Sequence, residues 1–235
     1  MPNKGKLTVI CGPMFSGKSR ELIRLVHIAE IAGQHTKTFK PRIDDRYSHS
    51  DVFSHDGIRG TAHPVDTARE MLSMMAFAPR LPDVVAIDEA QFFDRGITDA
   101  CLWLIDRGVT VVVAGLDRNF RGEPFGSMPE LLAVADEVSK LKAVCMQCKD
   151  PRVTATLPQR LIDGRPATYD SAEVMVGGAE YYEARCADCH EIPGKPDFGS
   201  VVQGLFADQA NGSGVPADAS DMERQVTGPD SGGSA

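Results

Sequence analysis

Two rhythms of apolar and polar positions alternate through the first 144 residues. Leu7-Thr8-Val9-Ile10 is a short, β-branched run that predicts a buried strand. From Lys18 to Ala32 the period lengthens: Leu22, Leu25, Val26, Ala29 and Ala32 fall on one helical face, and Gly33 stands where a helix C-terminus favours glycine. Thr36 to Phe39 predicts a second strand, stopped at Pro41. Thr67 and Glu70 have the spacing of a capping box ahead of a Met-rich helix, Met71 to Phe77. Val84 to Asp88 predicts a third strand, Ile97 to Arg107 a helix ended by Gly108, Val109 to Ala114 a fourth strand and Val138 to Val144 a fifth. Strands alternating with helices predict an α/β fold, a parallel sheet covered on both faces. There is no internal repeat.

The pattern breaks at Cys145. From 145 to 195 turn residues dominate and the chain predicts a small metal-stapled lobe beside the 1–144 domain. Across 207–235 the composition turns to Ala, Asp, Gly, Ser and Pro, which cannot bury enough surface to offset ordering entropy, so a disordered tail is expected.

Charge narrows the function. The 235 residues carry a net charge of −8, a poor basis for wrapping nucleic acid, whose affinity rests on neutralising phosphates. No apolar stretch is long enough to span a membrane. The run after Lys4 and Lys6 is too short for a signal peptide, so a cytoplasmic location is expected.

Gly12-Pro13-Met14-Phe15-Ser16-Gly17-Lys18-Ser19 matches G-x-x-x-x-G-K-[ST] without a gap, between the first strand and the first helix. The glycines let backbone N–H groups turn inward around phosphate oxygens, and the helix adds its positive N-terminal end. Lys18 is placed to reach the β- and γ-phosphates of ATP, and Ser19 to offer a hydroxyl to Mg²⁺. The apolar run Val84 to Ile87 ends in Asp88 and Glu89. An acid at such a strand end holds Mg²⁺ in phosphate-loop enzymes, which suits Asp88. Glu89, one residue on, points elsewhere and can take a proton from an attacking hydroxyl.

Cys145-Met146-Gln147-Cys148 and Cys186-Ala187-Asp188-Cys189 form two C-x-x-C pairs, whose four thiolates fit a closed tetrahedral Zn²⁺ site. A closed site has no open position for water, so its role is structural: it pins both ends of the 149–185 loop. Cys11 and Cys101 read as buried thiols.

Five segments together resemble type II thymidine kinases: 12–19, Asp-Glu-Ala-Gln-Phe-Phe at 88–93, Gly-Leu-Asp-Arg-Asn-Phe-Arg-Gly-Glu-Pro-Phe-Gly at 115–126, Ala-Val-Cys-Met-Gln-Cys at 143–148, and Val-Gly-Gly-Ala-Glu-Tyr-Tyr-Glu-Ala-Arg-Cys at 176–186. The similarity runs in order from about residue 5 to 195. It implies a RecA-like parallel sheet and a zinc-held lasso that closes over the nucleoside. It also implies that backbone groups of Glu173, Val174, Met175, Val176 and Gly177 grip the thymine. Phe120 would stack on the base, Met14 and Leu116 would line the pocket, and Tyr182 would contact sugar or base. Asp44, Arg46 and Gln91 would join the ATP and Mg²⁺ site, and Glu89 would be the general base for the 5′-hydroxyl.

The implied activity is transfer of the ATP γ-phosphate to thymidine and deoxyuridine, with a homotetrameric state and feedback inhibition by dTTP. Members often read Ala-x-x-Thr-x-Arg after the first cysteine pair. Here the chain reads Val-Thr-Ala-Thr-Leu-Pro-Gln-Arg at 153–160, so either Thr156 takes the threonine's place through an insertion or Pro158 replaces it. The rival reading is a RecA-like ATPase whose zinc lobe acts on DNA, which the net charge and the absence of a basic stripe oppose.

Overall fold

The alternation within each apolar run decides which layer its side chains join. In the computed structural model, which describes residues 4–43, 51–53, 59–76, 80–175, 181–197 and 199, the first run is strand β1 (Leu7–Cys11). Its Leu7, Val9 and Cys11 pack to one side and its Ile10 to the other. The chain then forms α1 (Lys18–Ile31), β2 (Thr36–Pro41), β3 (Asp51–Phe53), β4 (Arg59–Thr61), β5 (His63–Val65) and α2 (Ala68–Ala76). Next come β6 (Val84–Ile87), α3 (Gly96–Ile105), β7 (Thr110–Gly115), α4 (Met128–Val134) and β8 (Glu137–Lys140). The remaining strands are short: β9 (Ala143–Val144), β10 (Thr154–Ala155), β11 (Leu157–Ile162), β12 (Arg165–Pro166) and β13 (Tyr182–Arg185).

Six strands make the central sheet in the order β5-β2-β6-β7-β1-β8, and every pairing is parallel. Parallel neighbours need crossovers, and the helices that supply them cover both faces. On one face Met71 and Met75 of α2, Ile97, Cys101 and Leu104 of α3 and Met128 and Leu131 of α4 pack on Val9, Val85, Ile87, Val111 and Val113. On the other, Leu22 and Ala29 of α1 pack on Ile10, Val84, Ala86, Val112 and Ala114. The α/β class with a parallel sheet is therefore what the structure shows, and β7 stands between the strand that leads into the phosphate loop and the strand that ends in the acids.

Several features differ from the sequence reading, among them the start of α2 at Ala68 rather than Met71. The expected strand Val138–Val144 is two strands. β8 follows β1 only to its end at Cys11, where Leu141 N–H donates to the Cys11 carbonyl at 2.8 Å, and β9 then turns away to pair antiparallel with β10. Pro41 ends β2 from within rather than stopping it from outside, since only a terminal ladder donor is lost there. The lobe after Cys145 holds a three-stranded sheet, β12-β11-β13, that hydrophobic periodicity did not reveal. Phe77, and the 207–235 tail, lie outside the described residues. By internal contacts the chain divides after Lys195, and the site below belongs to the unit that ends there. Among the described residues no helix is long and apolar enough to cross a membrane.

The capping box forms with one change. Glu70 N–H donates to Thr67 Oγ1 at 3.1 Å, but the Glu70 carboxylate accepts from the Asp66 N–H at 2.7 Å rather than from that of Thr67. Thr67→Ala is expected to cost about 1 kcal/mol of stability, read as a lower urea midpoint with unchanged slope.

Candidate functional site

The phosphate loop turns where its glycines permit. Gly12 has φ 139° and Gly17 has φ 89°. A Cβ on Gly12 would lie 2.3 Å from the Leu141 carbonyl oxygen, so the loop approaches the end of β8 as closely as a backbone can. Phe15, at φ 63°, is held in the left-handed region inside the same loop. Ser16 Oγ and Lys18 Nζ both donate to the Pro13 carbonyl at 2.8 Å, which folds the loop back on itself. Lys18 is buried, Ser19 lies half-buried in the first turn of α1, and Gly17 as N-cap brings no side chain to the first amides of that helix. Helix amides left in this way suit an anion.

The acids sit at the same edge of the sheet. Asp88 is buried, its N–H donates to the Phe39 carbonyl at 2.9 Å, and its Oδ1 accepts the Glu89 N–H at 3.0 Å. Since strands lie about 4.8 Å apart, the ends of β1 and β6 are separated by about 10 Å, the span of one intervening strand. Glu89 is half-buried at φ 50°, a left-handed conformation uncommon for a side chain of its size. The Gln91 side-chain amide donates to the Glu89 carboxylate and accepts the Leu116 N–H at 2.9 Å. Gln91 thus bonds to Glu89 and to the end of β7.

Beside the phosphate loop Met14, Leu116 and Phe125 form a small buried apolar cluster, with Phe15, Phe92 and Tyr182 packed against it. Phe92 meets Phe125 edge to face at 5.6 Å between centroids. Of the expected pocket residues the structure brings Met14, Leu116 and Tyr182 together here. Phe120 is not in this cluster. It is buried with the Arg160 guanidinium 3.7 Å above its ring, and its carbonyl meets His190 Nε2 at 2.9 Å. Phe92 and Phe125 are the aromatic members that the sequence reading did not assign to the pocket. The available signal was their place next to the acid pair and to Gly126.

The lasso segment is anchored through its main chain. Arg121 donates through Nε to the Tyr169 carbonyl at 2.7 Å and through Nη2 to the Ser171 carbonyl at 2.8 Å. Arg160 Nη1 reaches the Glu173 carbonyl at 3.5 Å, and the Tyr182 hydroxyl donates to the Met175 carbonyl at 3.1 Å. Glu173 Oε1 accepts from Asn119 Nδ2 at 2.8 Å, while the Val174 side chain is exposed. Hydrogen bonding to Glu123, 2.9 Å away, raises the Tyr169 hydroxyl pKa. Val176, Gly177, Asp44 and Arg46 lie outside the described residues.

The ladder from Leu157↔Arg185 to Arg160↔Tyr182 runs without a bulge, so no extra residue is inserted along it. Pro158 is buried opposite Ala184, two residues along the same face from the Arg160–Tyr182 pair, whereas Thr156 lies two residues further away. Arg160 is almost wholly buried and its Nε has no hydrogen-bond partner among the described residues, while the ring of Phe120 lies under its guanidinium.

The four cysteines meet as their spacing predicts. The Sγ atoms of Cys145, Cys148, Cys186 and Cys189 all lie within 4.8 Å of one another. Cys148 Sγ is 3.8 Å from that of Cys186 and 3.4 Å from that of Cys189, close to the ~3.8 Å edge of a tetrahedron with Zn–S bonds of ~2.3 Å. Burial pushes the Cys145 thiol up, but N–H donors from Cys148, Cys186 and Gln147 outweigh it and bring the thiol to about 6. Main-chain N–H groups aimed at the Cys145 sulfur favour its thiolate form, the form in which a cysteine binds zinc. His190, next to Cys189, is not in this cluster, and its Nε2 meets the Phe120 carbonyl. Cys11 and Cys101 are buried as expected, and burial pushes Cys101 up to about 12, leaving an inert thiol.

Because the cluster ties β9 to β13 across about 40 residues of chain, one zinc per chain is expected by metal analysis, and Cys186→Ser should abolish it. Loss of the metal should lower Tm by roughly 5 °C or more, the change that about 2 kcal/mol produces in a chain of this size.

Compared with known protein families, residues 5–190 match the family described as thymidine kinase, well over half of the chain. The matched span includes the phosphate loop, the acid pair, the apolar cluster and all four cysteines. With fold, site and match in agreement, the chain belongs to the thymidine kinase family.

Proposed function

We propose that this chain transfers the γ-phosphate of ATP to the 5′-hydroxyl of thymidine, and of deoxyuridine, giving the monophosphate in deoxynucleotide salvage. The observation that carries this reading is that Met14 and Phe15 belong at once to the phosphate loop and to the apolar cluster with Leu116, Phe92, Phe125 and Tyr182. An apolar wall suited to a flat, uncharged ring would then be continuous with a cradle for phosphates. An enzyme that only hydrolyses ATP has no use for such a wall.

In this reading Lys18 and the amides of Gly12 to Ser19 bind the ATP phosphates, with Asp44 and Arg46 nearby. Mg²⁺, held by Ser19 and Asp88, would neutralise charge on the β- and γ-phosphates. Glu89 accepts the proton of the 5′-hydroxyl as the oxygen attacks phosphorus. Main-chain groups of Glu173 to Gly177 hold the base edge, Tyr182 closes the pocket over the sugar, and lasso closure excludes the water that would otherwise hydrolyse ATP. Phe120, with Arg160 over one face of its ring, stacks on the base in this reading. A homotetramer and dTTP inhibition belong to the same proposal and rest on the resemblance, and the expected cytoplasmic location goes with them.

The test is phosphate transfer from labelled ATP with Mg²⁺ to thymidine, deoxyuridine, deoxycytidine and deoxyadenosine. Transfer to the first two alone is expected. DNA-stimulated hydrolysis without transfer would instead establish an ATPase acting on DNA. Glu89→Gln is expected to lower kcat by at least about 100-fold while thymidine and ATP still bind in equilibrium measurements.

A further inference from the structure

The sequence resemblance placed Gln91 with ATP and Mg²⁺, but its hydrogen bonds lead in another direction. The side chain is buried, and it faces a main-chain N–H on one side and a carboxylate on the other. A main-chain N–H can only donate, so the atom facing Leu116 is the carbonyl oxygen Oε1, and the NH₂ group is left to face Glu89. Oε1 is the amide's only metal-ligating atom, and it is engaged by Leu116 at 2.9 Å.

The surroundings hold the side chain there. A Cβ on Gly115 would lie 2.7 Å from Gln91 Oε1, and one on Gly126, at φ 52°, would lie 2.2 Å from the Gln91 carbonyl oxygen. Gly115, at the end of β7, thus makes room for the glutamine side chain, and Gly126 makes room for the main chain that carries it. Glu89 meanwhile sits at φ 50°, a left-handed conformation that persists only where neighbours over-determine it.

We propose that Gln91 is a positioning residue. Its amide fixes the Glu89 carboxylate relative to the Leu116 backbone, so that the proton acceptor and the wall of the nucleoside pocket are held in one frame. The inference rests on the reading of Glu89 as the proton acceptor.

The test is a double-mutant cycle on the full-length, zinc-loaded enzyme, with Gln91→Met and Glu89→Gln made singly and together. Gln91→Met keeps the length of the side chain and removes both hydrogen bonds. It is expected to lower kcat by about 100-fold, the scale of a misplaced reacting group, with KM for thymidine and for Mg-ATP changed less than about threefold. In the Glu89→Gln background the same substitution should change the residual kcat by less than about threefold. Unchanged kcat in Gln91→Met overturns the proposal. So does a loss that persists in full in the Glu89→Gln background, or one reversed by raising Mg²⁺, which would return Gln91 to the metal site.

If Glu89→Gln itself keeps full turnover, the reading of Glu89 fails first, and that single variant shows it. Should Gln91→Met fold poorly, Gln91→Glu keeps the shape and the acceptor for Leu116 but sets a carboxylate against Glu89. It should lose kcat with KM unchanged, and full activity there overturns the proposal equally.

Discussion

Because all six strands of the central sheet run parallel, their carboxyl ends share one edge, and the chemistry has to be assembled there. β1 releases the phosphate loop, β6 releases Asp88 and Glu89, and β7 between them releases Leu116. Three short turns leaving adjacent strands converge without any long-range folding of loops. The separation of phosphate cradle and acids is then set by strand spacing, a quantity that side chains cannot easily alter. The apolar cores on the two faces of the sheet keep that spacing rigid.

The small lobe meets this edge through apolar contacts, Phe15 against the cluster around Cys145 and Cys186 and Tyr182 against Met14, Leu116 and Phe125, and through a larger set of polar ones. Arg121, Asn119 and Glu123 from the β7–α4 loop meet Tyr169, Ser171 and Glu173, and Phe120 takes the Arg160 guanidinium. Each bond is modest, and together they specify orientation more than they add stability. The cysteine cluster fixes the lobe's own shape, so that β11 and β13 can present Arg160 and Tyr182 side by side. A cation as buried as Arg160 is tolerable only while the ring beneath it and the carbonyl beside it stay in place.

What the sequence made legible is chemistry confined to a few consecutive residues. The phosphate loop and the two cysteine pairs are local patterns, because a turn around phosphate and a tetrahedral metal both constrain neighbours. The parallel sheet was legible for a similar reason, since strands buried on both faces leave unbroken apolar runs. The lobe was not. Its central strand buries Pro158, Gln159 and Arg160, residues that a hydrophobic pattern reads as exposed. Gln159 is accommodated by the main chain of Glu191, 32 residues away, which no local pattern encodes. The roles of Phe92, Phe120 and Phe125 could not be separated for the same reason: which ring faces the phosphate loop depends on where Arg160 sits.

The carbonyls of Tyr169, Ser171, Glu173 and Met175 are all held by side chains that lie outside the segment. Its path is therefore written elsewhere in the chain, in Arg121, Arg160 and Tyr182. Tyr169 and Glu173 are tied by their side chains as well, but elsewhere a ribbon steered by its main chain places little demand on its side chains, and a residue such as the exposed Val174 is free to drift. Substitution at such a position would leave the path of the segment unchanged, because the letter that changes is not one that steers.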